Sequence, residues 1–258
     1  MQKRVRIDLL LVERGMAESR SKAQRLVMAG QVRVGGELVS KASILVEPSA
    51  AISIDQPPRY VSRGGEKLEA ALRAFQIELQ DAICADVGSS TGGFTDCLLQ
   101  HGAARVYAID VGKGQLHWRL RGHPGVRVIE GANARALARL PEPISLATID
   151  VSFISLRLIF PNVAAWLAPG GQVLALVKPQ FEAGKASVGR GGVVRDPGVH
   201  RAVLGTVIDS AESAGLSARG AVRSPLTGPK GNREFFLWLR PGGGAEEKDD
   251  LIQQALRE

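Results

Sequence analysis

Residues 81–95, DAICADVGSSTGGFT, set an apolar run against a glycine-rich turn. The run up to Val87 reads as a strand, Gly88, Ser89, Ser90, Thr91, Gly92 and Gly93 as a turn, and Phe94 onward as a helix. Glycine lets backbone approach a ligand closely, and the opening turn of a helix offers it unpaired N–H groups. The segment is a ligand cradle. A dinucleotide-binding G-x-G-x-x-G needs glycine at position 90, where Ser90 stands, and the Gly-Lys-Ser/Thr of a P-loop is absent. Asp86 is expected to set a carboxylate beside the ligand, repelling phosphate and attracting an α-ammonium or sulfonium group. Asp110, 24 residues further on at the end of RVYAID, is placed to accept hydrogen bonds from ribose hydroxyls. Amino group, sulfonium and ribose together describe S-adenosylmethionine. Asn133, after the strand VRVIEG, offers a polar side chain to an adenine edge. Val111 and Ala134, each next to one of these polar residues, complete the expected contacts.

A second set of residues has the makings of acid–base chemistry. Asp150 ends the apolar run ISLATID and Lys178 ends QVLALVK, each following a stretch too apolar to hold a charge within it. Asp150 is expected at the cofactor as well. Glu234 precedes REFFLWLR and joins them if that strand runs antiparallel, as the short SPLTGPKGN connection suggests. Lys67, at the start of the helix after Gly65, sits where a cation opposes the helix dipole. Two ammonium groups in one desolvated cluster disfavour each other's charge, so a neutral lysine acting as a base is expected. No metal site is expected.

The elements that must hold these residues alternate strand and helix from 66 to 240, which predicts an α/β fold with a seven-stranded parallel-type sheet and ligands at the strand C-termini. ARALARL (134–140) reads as the helix after Asn133, and AVRSPL as the sixth strand. The 258-residue chain leaves room for a small α+β appendage over 1–57, joined by a Pro- and Gly-bearing linker over 58–65. A glycine-rich loop, 181–197, suits either a lid or a disordered segment. The glycines after Pro241 are expected to make 241–258 a flexible tail.

Net charge is +7, and residues 1–65 hold eleven Lys and Arg against six Asp and Glu, so the appendage and linker together carry +5 of the excess and point to a polyanionic partner. Within it, Ser19 caps a helix whose Arg20, Lys22 and Arg25 crowd the N-terminal end, a phosphate-binding arrangement bought against the dipole. Cys84 and Cys97 form no C-x-x-C and read as small core residues of a reduced, cytoplasmic protein. Asp8, Glu13 and Arg14 interrupt the first apolar run too early for a signal sequence or a membrane span.

R-x-D-x-x-L-x-x-x-G, S-R-x-x-A and G-x-V-x-V over the first 50 residues resemble the S4-like RNA-binding module. DVGSSTGGFT, IDVSF, LVKPQFEAGK, GGVVRDP and GNREFFLWL closely resemble the TlyA family, known as hemolysin A or as rRNA ribose methyltransferase, whose catalytic domain is of the FtsJ (RrmJ-like) type. That resemblance implies a Rossmann-like fold and S-adenosylmethionine-dependent 2′-O-methylation of ribosomal RNA, on cytidine of 16S and/or 23S rRNA within ribosomal subunits. It implies a Lys-Asp-Lys-Glu tetrad at Lys67, Asp150, Lys178 and Glu234, to which we add the expectation that Lys178 is the general base. RNA contacts are expected at Arg4, Arg6, Arg20, Lys22, Arg25 and Arg63, and the chain is expected to be a monomer that engages neither membrane nor DNA. The competing readings are a membrane-active hemolysin, for which no apolar span or barrel repeat is found, and a non-catalytic ribosome assembly factor, against which the intact cradle argues.

Overall fold

The computed structural model describes residues 4–55, 58–184, 187–189, 191–244 and 246–257. It comprises two units, residues 1–58 and 59–258.

In the first unit, β1 (Val5–Arg6) runs into α1 (Ile7–Glu13), followed by α2 (Arg20–Met28), β2 (Val32–Val34), β3 (Glu37–Leu38), β4 (Leu45–Val46) and β5 (Ile52–Ile54). β2 pairs antiparallel with β3 and β5, and β1 with β4. Gly35 and Gly36, at φ 58° and 87°, make the turn between β2 and β3 in a conformation that glycine adopts without strain. Ser19 caps α2 by accepting from the Lys22 N–H at 3.2 Å. Ile7, Leu10 and Leu11 of α1 and Ala23 and Val27 of α2 form the apolar core against the strands.

The second unit begins with α3 (Gly64–Ala74), β6 (Ile83–Val87), α4 (Gly93–Gln100), β7 (Arg105–Asp110), α5 (Trp118–Arg121), β8 (Val126–Glu130) and β9 (Ile144–Ile149). It continues with α6 (Phe160–Trp166), β10 (Leu167–Val177), α7 (Pro179–Glu182), α8 (Pro197–Ser213), β11 (Leu216–Arg223), β12 (Phe235–Pro241) and α9 (Lys248–Leu256). The sheet order is β11-β12-β10-β9-β6-β7-β8, parallel except for β12, which is antiparallel to both of its neighbours. β6, β9 and β10 are central and covered on both faces, which is why they read as unbroken apolar runs. Reversal of β12 returns the chain so that residue 234 enters the sheet beside the exit of β10, Val177 facing Phe235.

Three expectations fail. Residues 134–140 form a turn and no helix: the Leu137 carbonyl would bond the N–H four residues on, but that residue is Pro141. Trp166 Nε1 donates to that carbonyl instead at 2.9 Å, and Asn162 Nδ2 donates to the Ala134 carbonyl at 2.8 Å. The tail is not a flexible extension over the residues described: α9 buries Leu251, Ile252 and Ala255 in the main core. β11 begins at Leu216, five residues before AVRSPL, because Leu216, Ala218 and Ala221 all point inward. The stretch from Arg59 to Gly65 is anchored within the second unit. Tyr60 is buried, and the Val61 N–H donates to Asp96 Oδ2 at 2.8 Å.

Candidate active site

The cradle lies where β6 gives way to α4. Gly88 (φ 86°) is pressed against the end of β9: a Cβ there would come within 2.4 Å of the Asp150 carbonyl oxygen. Only glycine lets these two strand ends approach so closely. Gly92 (φ 96°) is likewise covered by Leu116 and Leu120. Ser90 holds a positive φ of 46°, and its N–H donates to Asp110 Oδ2 at 2.8 Å while the Gly112 N–H donates to Oδ1 at 2.7 Å. Asp110 therefore clamps the loop and keeps a free lone pair on each oxygen.

Two cavities meet at Gly88, Ser90 and Asp150. The larger, about 460 Å³, has apolar walls from Ile109, Val111, Ala134, Ile154 and Ile159 and polar ends at Asp110 and Asn133. The smaller, about 230 Å³, is bounded by Arg63, Lys67, the Ser89–Thr91 loop, Phe94 and Asp150. An elongated ligand with an apolar heterocycle, vicinal hydroxyls and a charged end fits this pair of chambers.

Asp86 is a correction. It lines neither cavity, is fully buried, and accepts from Thr95 Oγ1 at 2.6 Å, with Thr148 Oγ1 at 3.5 Å. Burial pushes its carboxyl up to about 7, opposed by the bond from Thr95. It braces the strand below the cradle and does not face the ligand.

The four charged strand-end residues form two ion pairs. Lys67 Nζ donates to Glu234 Oε2 at 2.6 Å, with side chains 11% and 1% exposed. Lys178 Nζ lies 2.5 Å from Asp150 Oδ1 and donates to Ser152 Oγ at 3.1 Å. Asp150 Oδ1 is buried, and its partner is the Lys178 ammonium rather than a well-directed hydrogen bond. Each ammonium thus faces a carboxylate, and the lysine–lysine repulsion expected to neutralise one of them is offset. Glu234 Oε1 sits over Gly228, where a Cβ would come within 2.5 Å of it. Among the described residues no group of three or more metal-ligating side chains occurs. Burial pushes the Cys84 and Cys97 thiols up to about 12, which removes both as nucleophiles.

The basic residues of the first unit divide. Arg6 grips buried Asp8 through Nε at 3.0 Å and Nη2 at 2.9 Å; Arg20 Nε and Gln24 Nε2 bond the same carboxylate at 2.9 Å. These bonds hold the Asp8 carboxyl well below the usual carboxylate range. Arg6 and Arg20 are therefore structural as well as half-exposed. Arg4, Lys22 and Arg25 are exposed, with Arg25 Nη1 donating to Ser21 Oγ at 2.8 Å. Arg63, in the second unit, lines the smaller cavity.

The sequence matches the FtsJ-like methyltransferase family over residues 60–241 and the S4 domain over residues 5–52. The chain belongs to the FtsJ-like methyltransferase family. It is an S-adenosylmethionine-dependent methyltransferase with an N-terminal S4 domain. A 16S/23S rRNA (cytidine-2′-O)-methyltransferase, TlyA of Mycobacterium tuberculosis, is 43% identical over 268 residues, covering 100% of this chain and 99% of that one. Hemolysin A of Brachyspira hyodysenteriae is 41% identical over 90% of this chain and 98% of that one. A solved structure of a candidate hemolysin from Streptococcus thermophilus has 42% identity and a TM-score of 0.73, covering 98% of this chain and 96% of that one.

In this methyltransferase the IDVSF and LVKPQFEAGK motifs supply more than the charged pair. Phe153 has a positive φ of 63° and is 91% exposed at the rim of the larger cavity. Its ring lies 4.9 Å from that of Phe181, which also stands 5.9 Å from Lys178 Nζ. Glu182 fastens the loop: Ser155 Oγ donates to Oε2 at 2.6 Å and the Leu156 N–H to Oε1 at 2.9 Å. Residues 185, 186 and 190 of the 181–197 loop lie outside the described residues. Asn232 bonds its far end through the Val194 N–H and the Gly192 carbonyl, each at 2.9 Å.

Proposed function

We propose that this methyltransferase modifies the ribose 2′-hydroxyl of cytidine in ribosomal RNA, in 16S rRNA, 23S rRNA or both. The supporting observation is the juxtaposition of the Lys178–Asp150 pair with the cavity that Asp110 and the Gly88–Gly93 loop enclose. The M. tuberculosis relative is a cytidine-2′-O-methyltransferase of 16S and 23S rRNA, and its identity to this chain extends over the full length.

S-adenosylmethionine supplies a methyl group already activated on a cationic sulfur, so the chain must orient the acceptor and remove its proton. Asp110 would hold the ribose of the donor with its spare lone pairs, Asn133 would meet the adenine edge, and the backbone of Ser89–Phe94 would hold the charged end. Lys178, 12% exposed, gives its ammonium proton to solvent before the reaction, and the neutral amine then takes the proton of the 2′-hydroxyl as the oxygen accepts the methyl group, which makes it the general base. Asp150 positions its amine, and Lys67 with Glu234 hold the target nucleotide. Phe153, exposed beside this group, stacks on the target base. The S4 domain grips RNA through Arg4, Lys22 and Arg25 and the outer edges of Arg6 and Arg20. Ribosomal subunits in the cytoplasm are the substrate on this reading.

The experiment is to give the protein labelled S-adenosylmethionine with 30S subunits, 50S subunits and whole ribosomes, then map the labelled nucleotide. Label on a cytidine 2′-oxygen supports the reading; label on a base nitrogen or carbon sinks it. The hemolysin names of some relatives raise the other reading. No described helix is long and apolar enough to cross a membrane, and leakage of dye from liposomes tests that reading directly.

A further inference from the structure

Residues 111–129, VGKGQLHWRLRGHPGVRVI, contain Lys113, Arg119, Arg121 and Arg127 and no Asp or Glu. Their centre is α5, and its Trp118 side chain is 76% exposed. Tryptophan is on average a well-buried residue and pairs an apolar face with a polar N–H, so an indole left this open is a ready contact surface for a partner. The surroundings are rigid. Leu116 and Leu120 are buried beneath Gly92, and the His117 N–H donates to the Thr91 carbonyl at 3.1 Å. The His117 ring stacks on the indole at 5.6 Å with an interplanar angle of 29°. Arg121 is held by Glu130, whereas Arg119 has no carboxylate within ion-pair distance among the described residues.

We propose that Trp118 and Arg119 form a second RNA-binding platform, on which an unpaired base of the substrate RNA stacks while Arg119 meets an adjoining phosphate. The inference rests on the RNA-methyltransferase reading and adds a contact outside the catalytic cavity. An exposed aromatic face flanked by uncompensated cations is the surface that single-stranded nucleic acid recognises, since every base has a π face and every linkage a negative charge. The strip holds four cations of which Arg121 alone is ion-paired among the described residues, so an anionic partner has a stronger claim on it than a protein of ordinary composition. The His117–Thr91 hydrogen bond and the packing of Leu116 and Leu120 on Gly92 fix this contact next to the glycine-rich loop.

The test uses the full chain and its Trp118→Ala, Trp118→Phe and Arg119→Glu variants. A short single-stranded uridine oligomer is titrated against tryptophan fluorescence, and KM for ribosomal subunits is measured in the methyl-transfer assay. The expected result is quenching in the wild type that is lost in Trp118→Ala, with binding weakened about tenfold. KM should rise comparably in Trp118→Ala and Arg119→Glu, and kcat and S-adenosylmethionine affinity should be unchanged. Trp118→Phe should keep most of the affinity. If Trp118→Ala binds the oligomer and methylates subunits as the wild type does, the platform is wrong while the enzymatic reading stands. If KM for subunits rises but oligomer binding is unaltered, the indole contacts protein and the proposal fails. A wild type that neither binds RNA nor methylates subunits overturns both.

Discussion

Lys67 and Glu234 are 167 residues apart in the chain and 2.6 Å apart in space, joining the first helix of the catalytic unit to the residue before its last strand. The pair is nearly excluded from water, so each charge depends on the other. Glu234→Gln keeps the shape and removes the charge. Methyl transfer should fall by about 10²-fold or more with a modest change in Tm, whereas Glu234→Ala should cost roughly 3 kcal/mol in chemical denaturation because the Lys67 ammonium is left unpaired. A Glu234→Gln enzyme with wild-type kcat would remove this pair from the mechanism.

Gly228 gives a second view of the same carboxylate. Its missing Cβ leaves room for Glu234 Oε1. Gly228→Ala should therefore lower kcat more than it weakens the affinity for S-adenosylmethionine, since the added Cβ meets Glu234 and not Asp110 or the Gly88–Gly93 loop. Equal losses in both quantities would mean that the whole site had collapsed.

Phe153 separates stability from activity. A non-glycine residue in the left-handed region costs about 1 kcal/mol or more, and a side chain 91% exposed recovers little by burial. Phe153→Gly should be at least as stable as the wild type by thermal unfolding, yet methylate RNA at least tenfold more slowly. A variant that is both unstable and active would show that the ring serves the fold.

Asp86 sets a pH dependence of stability. With its folded value raised to about 7 by burial, the native state holds a proton that the unfolded chain has lost above its ordinary carboxylate range. That contribution is fully present at low pH and is lost as pH rises from about 4 through about 7. Asp86→Asn, which keeps an acceptor for Thr95, should flatten the fall in unfolding free energy over that window by a few kcal/mol. Identical pH profiles for variant and wild type would contradict the assignment.

Much of the fold was legible because its rules are local. Apolar runs stopping at Gly88, Asp110, Asp150 and Lys178 mark strands that end at one rim, and the short SPLTGPKGN connection announces the antiparallel last strand. What failed depends on partners distant in sequence. Asp86 precedes the cradle as a ligand-facing carboxylate would, but pleat direction aims it at Thr95 and Thr148. ARALARL has helical spacing, yet Pro141 withholds an N–H and Trp166 takes the vacant carbonyl. The tail looks detachable after three glycines, but Leu251 and Ile252 find the core. Arg6 and Arg20 read as phosphate contacts, and half of each is spent on Asp8. Trp118 and Phe153 carried no periodic signal, because exposure shows only once the neighbours are placed.

The most direct test of the account is Lys178→Ala, assayed for methyl transfer to ribosomal subunits alongside calorimetric binding of S-adenosylmethionine. Transfer should drop by roughly 10²-fold or more while the dissociation constant stays within about threefold of the wild type. A Lys178→Ala enzyme that turns over at the wild-type rate would contradict the claim that this amine takes the proton from the ribose hydroxyl.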